Sequence, residues 1–298
     1  MAGATADSLL IHLHIPKNAG TTLGRVFRMR LARRPGNWLH LGQTMGLPHV
    51  RGSWSNRADA LQELPHRARR RVRLFDAHGG WGMHERLPMP EDARYFTFLR
   101  DPVDRTLSAY YYLRGRGRFE REMSITEFAC GPPVRQLLWT VDNAHVRYLA
   151  ANAGEIIDVE PGDVTRTMFD VAAERLQSDR MLVAGLTERF DASALLLTEV
   201  LGWSPPRYVR SNVTSERRSR DEIEPETIAM LEERNALDRE LYDLASAHLD
   251  RMIEARPGFQ DRLAAFQASN IRYGRRMGPV YALVPRASKA VRRLGLLR

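Results

Sequence analysis

The stretch that decides the fold is Ile11–Thr22, IHLHIPKNAGTT. Its apolar half reads as a buried parallel-type strand, part of LLIHLHI over 9–15. A small-residue loop follows and feeds LGRVFRMRL, an arginine-studded helix to about Leu31. Strand, loop and helix in this order are the layout of a phosphate cradle. The N–H groups around Asn18, Ala19, Gly20, Thr21 and Thr22, at a helix start, can bind an anionic oxygen cluster with help from the helix dipole. Thr21 and Thr22 add hydroxyl donors, and Gly20 lets the backbone approach closely. If the turn is only structural, a threonine is the expected N-cap. Lys17, however, precedes the glycine, whereas a triphosphate loop reads G-x-x-x-x-G-K-[ST]. No magnesium-binding serine or threonine follows the lysine, which argues against a plain ATPase or kinase.

Outward from this stretch, VRLFDAH (72–78), ARYFTFL (93–99) and MLVAGLTE (181–188) read as three more strands. Helical patterns alternate with them, ending in EPETIAMLEERNALDRELYDLASAHLDRMI, read as one long amphipathic helix behind Pro225. The expected class is α/β, with a mostly parallel central sheet flanked by helices on both faces. Ligands of such sheets gather at the carboxyl ends of the strands. Three of those ends carry Lys17, His78 and Arg100, so the topology predicts one site built from all three. Residues 35–56 read as a long loop, and 124–150 as helical with a break at Gly131-Pro132-Pro133. Together with 115–160, the long loop is expected to shape the acceptor pocket.

Of the 45 basic residues in the 298-residue chain, nine lie beyond Asp261, the last acidic residue. The other 36 balance the 36 acidic ones, so the +9 net charge belongs to the tail alone. No nucleic-acid partner is therefore expected for the body. Only Lys17 and Lys289 are lysines. In so arginine-biased a chain, a lysine in a phosphate-type loop points to a compact ammonium with a task of its own. A single cysteine, Cys130, excludes an internal disulfide and fits a reducing compartment. The start MAGATADSLL has no basic flank before its apolar stretch, so no secretory signal is expected.

FTFLRDPVDRTLSAYYY (96–112) carries the second motif. Arg100 ends a strand, and Ser108 lies about two helical turns later. An arginine can grip phosphate with two donors, and the hydroxyl adds another. The structural alternative is an ion pair of Arg100 with Asp101 or Asp104 above a buried serine. The AYYY run reads as core packing, and HRARRRVR (66–73) as a solvated helix end.

PKNAGTT and RDPVDRTLSAY together resemble the cofactor-binding signatures of sulfotransferases that use 3′-phosphoadenosine 5′-phosphosulfate (PAPS). The likeness is to the branch that includes heparan sulfate 2-O-sulfotransferases and bacterial relatives, over roughly residues 9–250. It implies a P-loop-like sulfotransferase fold. It further implies that Lys17, Asn18, Ala19, Gly20, Thr21 and Thr22 surround the 5′-phosphosulfate, while Arg100 and Ser108 hold the 3′-phosphate. Asn18 stands where the family often has threonine. In DAHGGWGMHERLP, His78 fills the family's general-base slot, with His84 as competitor. VRSNVTSERR matches a loop closing over the cofactor, which makes Asn212 and Thr214 candidate contacts.

The activity so implied is in-line sulfuryl transfer from PAPS, as co-substrate and without a metal, to an acceptor hydroxyl. The acceptor is a carbohydrate by family likeness. Lys17 would face the charge developing on the departing phosphate, and His78 would take the hydroxyl proton. Two other classes are open: an ATP-dependent phosphotransferase on a related cradle, and a non-catalytic nucleotide- or polyanion-binding protein. The chain divides into an α/β domain over 1–261 and a basic tail over 262–298, amphipathic or extended. That tail could lie on an anionic membrane surface, reach a polyanionic glycan, or pack as a final helix. The expected location is cytoplasmic, with peripheral attachment to the inner membrane face as the tail's variant.

Overall fold

The apolar half of IHLHIPKNAGTT forms strand β1 (Leu10–Leu13), buried throughout. A computed structural model describes residues 8–31, 54–69, 72–87, 90–119, 122–130, 141–209 and 218–293. In chain order the further elements begin with α1 (Gly20–Leu31), α2 (Trp54–Gln62), α3 (His66–Arg69), β2 (Leu74–Ala77) and β3 (Arg94–Leu99). Then come α4 (Pro102–Arg114), α5 (Ile125–Cys130), α6 (Ala144–Leu149), α7 (Arg166–Leu176) and β4 (Met181–Leu186). The last four are α8 (Phe190–Val200), α9 (Pro225–Arg234), α10 (Ala236–Glu254) and α11 (Phe259–Arg293).

The four strands make one parallel sheet in the order β2-β1-β3-β4, flanked by helices. Near-continuous apolar strands of this type need both faces covered. The chain goes from β1 to β2 on one side, then crosses back to β3 on the other. Strand order therefore reverses between β1 and β3, and the crevice beyond their carboxyl ends is the switch point where such sheets bind ligands. β1 is shorter than its sequence pattern because the Ile15 N–H turns back to the Leu13 carbonyl at 3.2 Å, outside the ladder.

The helix expected over 224–253 is two helices. Asn235 interrupts it: almost fully buried, its amide donates to the Val141 and Leu231 carbonyls and its Oδ1 accepts the Asn143 N–H. One turn later, buried Asp238 accepts the N–H groups of His145 and Val146, each at 2.9 Å. These are orphan donors of the first turn of α6, whose own N-cap residue, Asn143, supplies no side-chain bond. A carboxylate from α10 thus caps α6 from outside.

The boundary expected at 261/262 lies inside α11. Phe259 and Phe266 at its start are buried in the main core. Arg262 pairs with Glu199 on α8, and Asn270 accepts the Tyr208 N–H. Among the described residues, no helix is long and apolar enough to cross a membrane. The break expected at 131–133 and most of the loop expected at 35–56 lie outside the described residues.

Asp238→Ala is expected to lower unfolding free energy by about 3–5 kcal/mol, as for a buried charge partner removed from its network. Equilibrium urea denaturation measures it, and a loss below about 1 kcal/mol would contradict the cap.

Candidate functional site

The loop after β1 is held in a demanding conformation. Lys17 has φ 72° and Ala19 φ 58°, both left-handed, with Asn18 between them outside that region. Alternation of this kind gathers backbone N–H groups into an anion-binding concavity. The helix begins at Gly20, so Ala19 and not a threonine precedes it. Alanine is among the poorest N-caps because it offers no acceptor. Its carbonyl accepts from Thr22 and Leu23, but the earlier N–H groups have no acceptor within the helix. Thr21 is exposed and Thr22 buried.

Asn18 fixes this loop. Its side chain is 1% exposed and its Nδ2 lies 2.7 Å from the Phe98 carbonyl and 3.2 Å from His145 Nε2. A carbonyl only accepts, so the amide nitrogen faces inward and His145 accepts through Nε2. Burial, reinforced by the Arg105 charge, holds the His145 imidazole well below its usual value, hence neutral. The side chain of Asn18 is therefore a structural tie, and only its backbone is left for the cradle.

Arg100 follows β3 and donates from Nη1 to the Lys17 carbonyl at 3.1 Å, joining the two loops. Asp101 caps α4 by accepting the Asp104 N–H, and Pro102 opens the helix. Asp101 itself is paired with Arg239 of α10. Ser108 sits two turns along α4, 8% exposed. One turn further, Tyr112 is 40% exposed, and Lys17 Nζ lies 3.7 Å from its ring centroid. Such an exposed cation–π contact is worth about 0.5–1 kcal/mol. A charge-assisted bond to phosphate is worth more, about 1.5–3 kcal/mol, so Tyr112 parks the ammonium without trapping it. Tyr110 and Tyr111 are buried, and only the third tyrosine departs from the core reading of AYYY.

His78 follows β2, is exposed, and has its Nδ1 2.9 Å from the His14 carbonyl. The carbonyl requires a proton on Nδ1, which leaves Nε2 as a basic nitrogen. The ring also lies on that of His14, centroids 4.2 Å apart. His14 in turn abuts the cradle: a Cβ on Gly20 would meet His14 Nε2 at 1.8 Å. That clash, rather than backbone freedom, is why residue 20 is glycine. His84 lies elsewhere: its Nδ1 is 3.0 Å from the hydroxyl of Tyr95, near the amino end of β3. Burial and then Arg180 lower its pKa.

Contacts thus join Arg100 to Lys17, Lys17 to Tyr112 on the helix that carries Ser108, and His78 through His14 to Gly20. Asn212 and Thr214 lie outside the described residues. The residues missed by sequence reasoning are His14, Asp76 and Tyr112. Their signal was periodicity: period two in HLH and DAH, and a spacing of four from Ser108 to Tyr112.

Residues 4–145 match the family model described as the sulfotransferase family. That span contains Lys17, His78, Arg100 and Ser108. Among solved structures the chain is similar to mouse sulfotransferase SULT7A1 complexed with PAP, at 16% identity and a TM-score of 0.37. The similarity covers 78% of this chain and 64% of that one, just under two thirds of its length. No curated protein matches the sequence.

Gly20→Ala must push the His14 ring aside, and overpacking of this kind costs about 1–3 kcal/mol. A lowered Tm is expected, and an unchanged one would contradict the contact. A second expectation concerns acid. Below pH 6.5, the ordinary histidine value, the unfolded chain takes up a proton that folded His145 refuses. Stability then falls by about 1.4 kcal/mol per pH unit until the depressed folded value is reached. His145→Gln, which keeps an acceptor for Asn18, should flatten that slope in urea titrations between pH 6.5 and 5.

Proposed function

We propose that this protein is a PAPS-dependent sulfotransferase that acts on an acceptor hydroxyl, with carbohydrate as the acceptor class. The observation that carries the reading is the exposed imidazole of His78. Its Nδ1 faces the His14 carbonyl, so the ring's basic nitrogen is Nε2, and His14 in turn abuts Gly20 at the start of the loop that Arg100 ties. The match to the sulfotransferase family over these residues supports it. The fit to the donor rests on this chain's own backbone: an alanine before α1 and two left-handed residues give the helix start the backbone form of an anion-binding concavity. The missing G-K-[ST] order favours a donor whose phosphate needs no metal-bridged pair.

PAPS supplies the sulfuryl group when bound. Arg100 and Ser108 hold its 3′-phosphate, and the amides of Ala19 to Thr21 face the 5′ end. Lys17 meets the negative charge that grows on the departing phosphate. His78 Nε2 accepts the proton of the acceptor hydroxyl as the oxygen becomes nucleophilic. The acceptor preference rests on family likeness to glycan sulfotransferases.

The test is incubation with PAPS and a panel of glycans and small alcohols, following release of adenosine 3′,5′-bisphosphate, with binding of that bisphosphate by calorimetry. No release and no binding would remove the reading. Magnesium-dependent ATP binding indifferent to a 3′-phosphate would replace it with a phosphotransferase, and tight bisphosphate binding without transfer with a non-catalytic binder. Lys17→Ala is expected to lower kcat by about 10²–10³, the usual loss of one preorganised charge stabiliser. His78→Ala should abolish turnover and retain bisphosphate affinity.

A further inference from the structure

Behind His78 stands a polar ladder that the reaction as proposed does not use. The register pairs His12 of β1 with Asp76 of β2, and His14 and His78 follow two residues on, just past the ends of the two strands. Asp76 Oδ1 is 2.9 Å from His12 Nδ1 and 3.2 Å from His14 Nδ1. His12 stacks on His14 at 4.7 Å and on Phe96 at 4.9 Å. The three donor groups lie close enough together to suggest a cation site. The ring planes argue otherwise: two stacked imidazoles 14° from parallel do not converge their in-plane lone pairs on one ion. Their arrangement suits two N–H donors on one carboxylate.

We propose that Asp76 and His14 form a positioning couple for His78, an inference that rests on reading His78 as the general base. His14 is clamped on two sides, by the Asp76 carboxylate at Nδ1 and by the Gly20 backbone at Nε2. It touches His78 twice, through its carbonyl on Nδ1 and through its ring on the imidazole face. The carbonyl sets the tautomer, and the ring sets the orientation. When the acceptor proton moves to Nε2 of His78, the new imidazolium lies against the His14 ring, whose Nδ1 is bonded to the Asp76 carboxylate. The charge formed in the step is thereby stabilised within the same stack. Burial opposes the charge on Asp76, but the neighbouring His12 charge and the bonds from both histidines outweigh it. The carboxyl is held well below its ordinary value, so the anion persists. The titratable groups linked to His78 through this ladder are His14, Asp76 and His12.

Two variants separate the parts. Asp76→Asn keeps the shape and removes the anion. His14→Asn keeps a donor to Asp76 near the Nδ1 position and removes the ring. The readout is the titration midpoint of His78, followed by NMR of histidine-labelled protein saturated with adenosine 3′,5′-bisphosphate. Each variant is expected to lower that midpoint by roughly half a unit or more. kcat should fall about tenfold or more, while bisphosphate affinity stays within about twofold. With Asp76→Asn the acidic limb of the kcat profile moves to lower pH, since a less favoured imidazolium deprotonates earlier.

If either variant folds, binds bisphosphate and leaves the His78 midpoint in place, the couple is only packing and the proposal is overturned. The titration needs no acceptor, so its outcome is separate from the fate of the base reading. Full turnover by His78→Ala would remove that reading, and with it the catalytic role given to the couple, whatever the midpoints show.

Discussion

The Asn18 amide donates to the Phe98 carbonyl from a position closed to solvent, and that bond decides how the loop after β1 meets the loop after β3. As a made bond it contributes only about 0.5–1.5 kcal/mol net, but leaving the buried carbonyl without it costs about 1–3 kcal/mol. The asymmetry makes Asn18 a device of position. Two residues beyond Phe98 the chain reaches Arg100, which is therefore near enough to hold the Lys17 carbonyl. Lys17 and Ala19 can then keep left-handed conformations that cost an ordinary residue about 1–2 kcal/mol each. Such conformations persist where the surroundings over-determine them, as functional loops do.

Behind that tie lies a set of buried charges that would be expensive singly. Asp238 meets two N–H groups of α6, and Arg147 donates to carbonyls at 142, 157 and 159. Arg105 is fully buried, and its pKa is lowered by that burial against the pull of Asp238. Asp238 is answered by backbone N–H groups, and Arg147 by backbone carbonyls and the Asp142 carboxylate. The neutral His145 that accepts from Asn18 belongs to this set, so α6 and α10 stiffen the cradle from the rear. On the other side, the histidine ladder carries the sheet's period-two alternation out to His78. Fold and candidate chemistry meet at two points: an amide behind the loop and an imidazole beside it.

Much of this was legible beforehand because it is local. A strand running into PKNAGTT at a helix start constrains the loop within a few residues. Arg100 at a strand end, with Ser108 two turns into a helix, follows from helical geometry alone. His78 is favoured over His84 by motif likeness alone; in space His78 follows the carboxyl end of β2, while His84 bonds Tyr95 near the amino end of β3. The broken helix at Asn235 was not legible, because its apolar spacing runs through the break. Only a carbonyl from residue 141 and an N–H from residue 143 show why the chain stops there. Tyr112 was read with its neighbours as core, since a run of three tyrosines does not say which one faces a lysine.

What the sequence by itself determined is the order of parts: a parallel α/β sheet, a loop suited to an anion, and three strand ends bearing an ammonium, an imidazole and a guanidinium. These follow from periodicity and backbone chemistry, which act over a few residues. Only the tertiary structure decided which partners those groups have. His14 against Gly20, Asp76 between two histidines, and Asn18 on Phe98 and His145 join residues that are close in space through strand register and helix packing. Contacts of that kind depend on how separate segments pack together, and no local pattern encodes them.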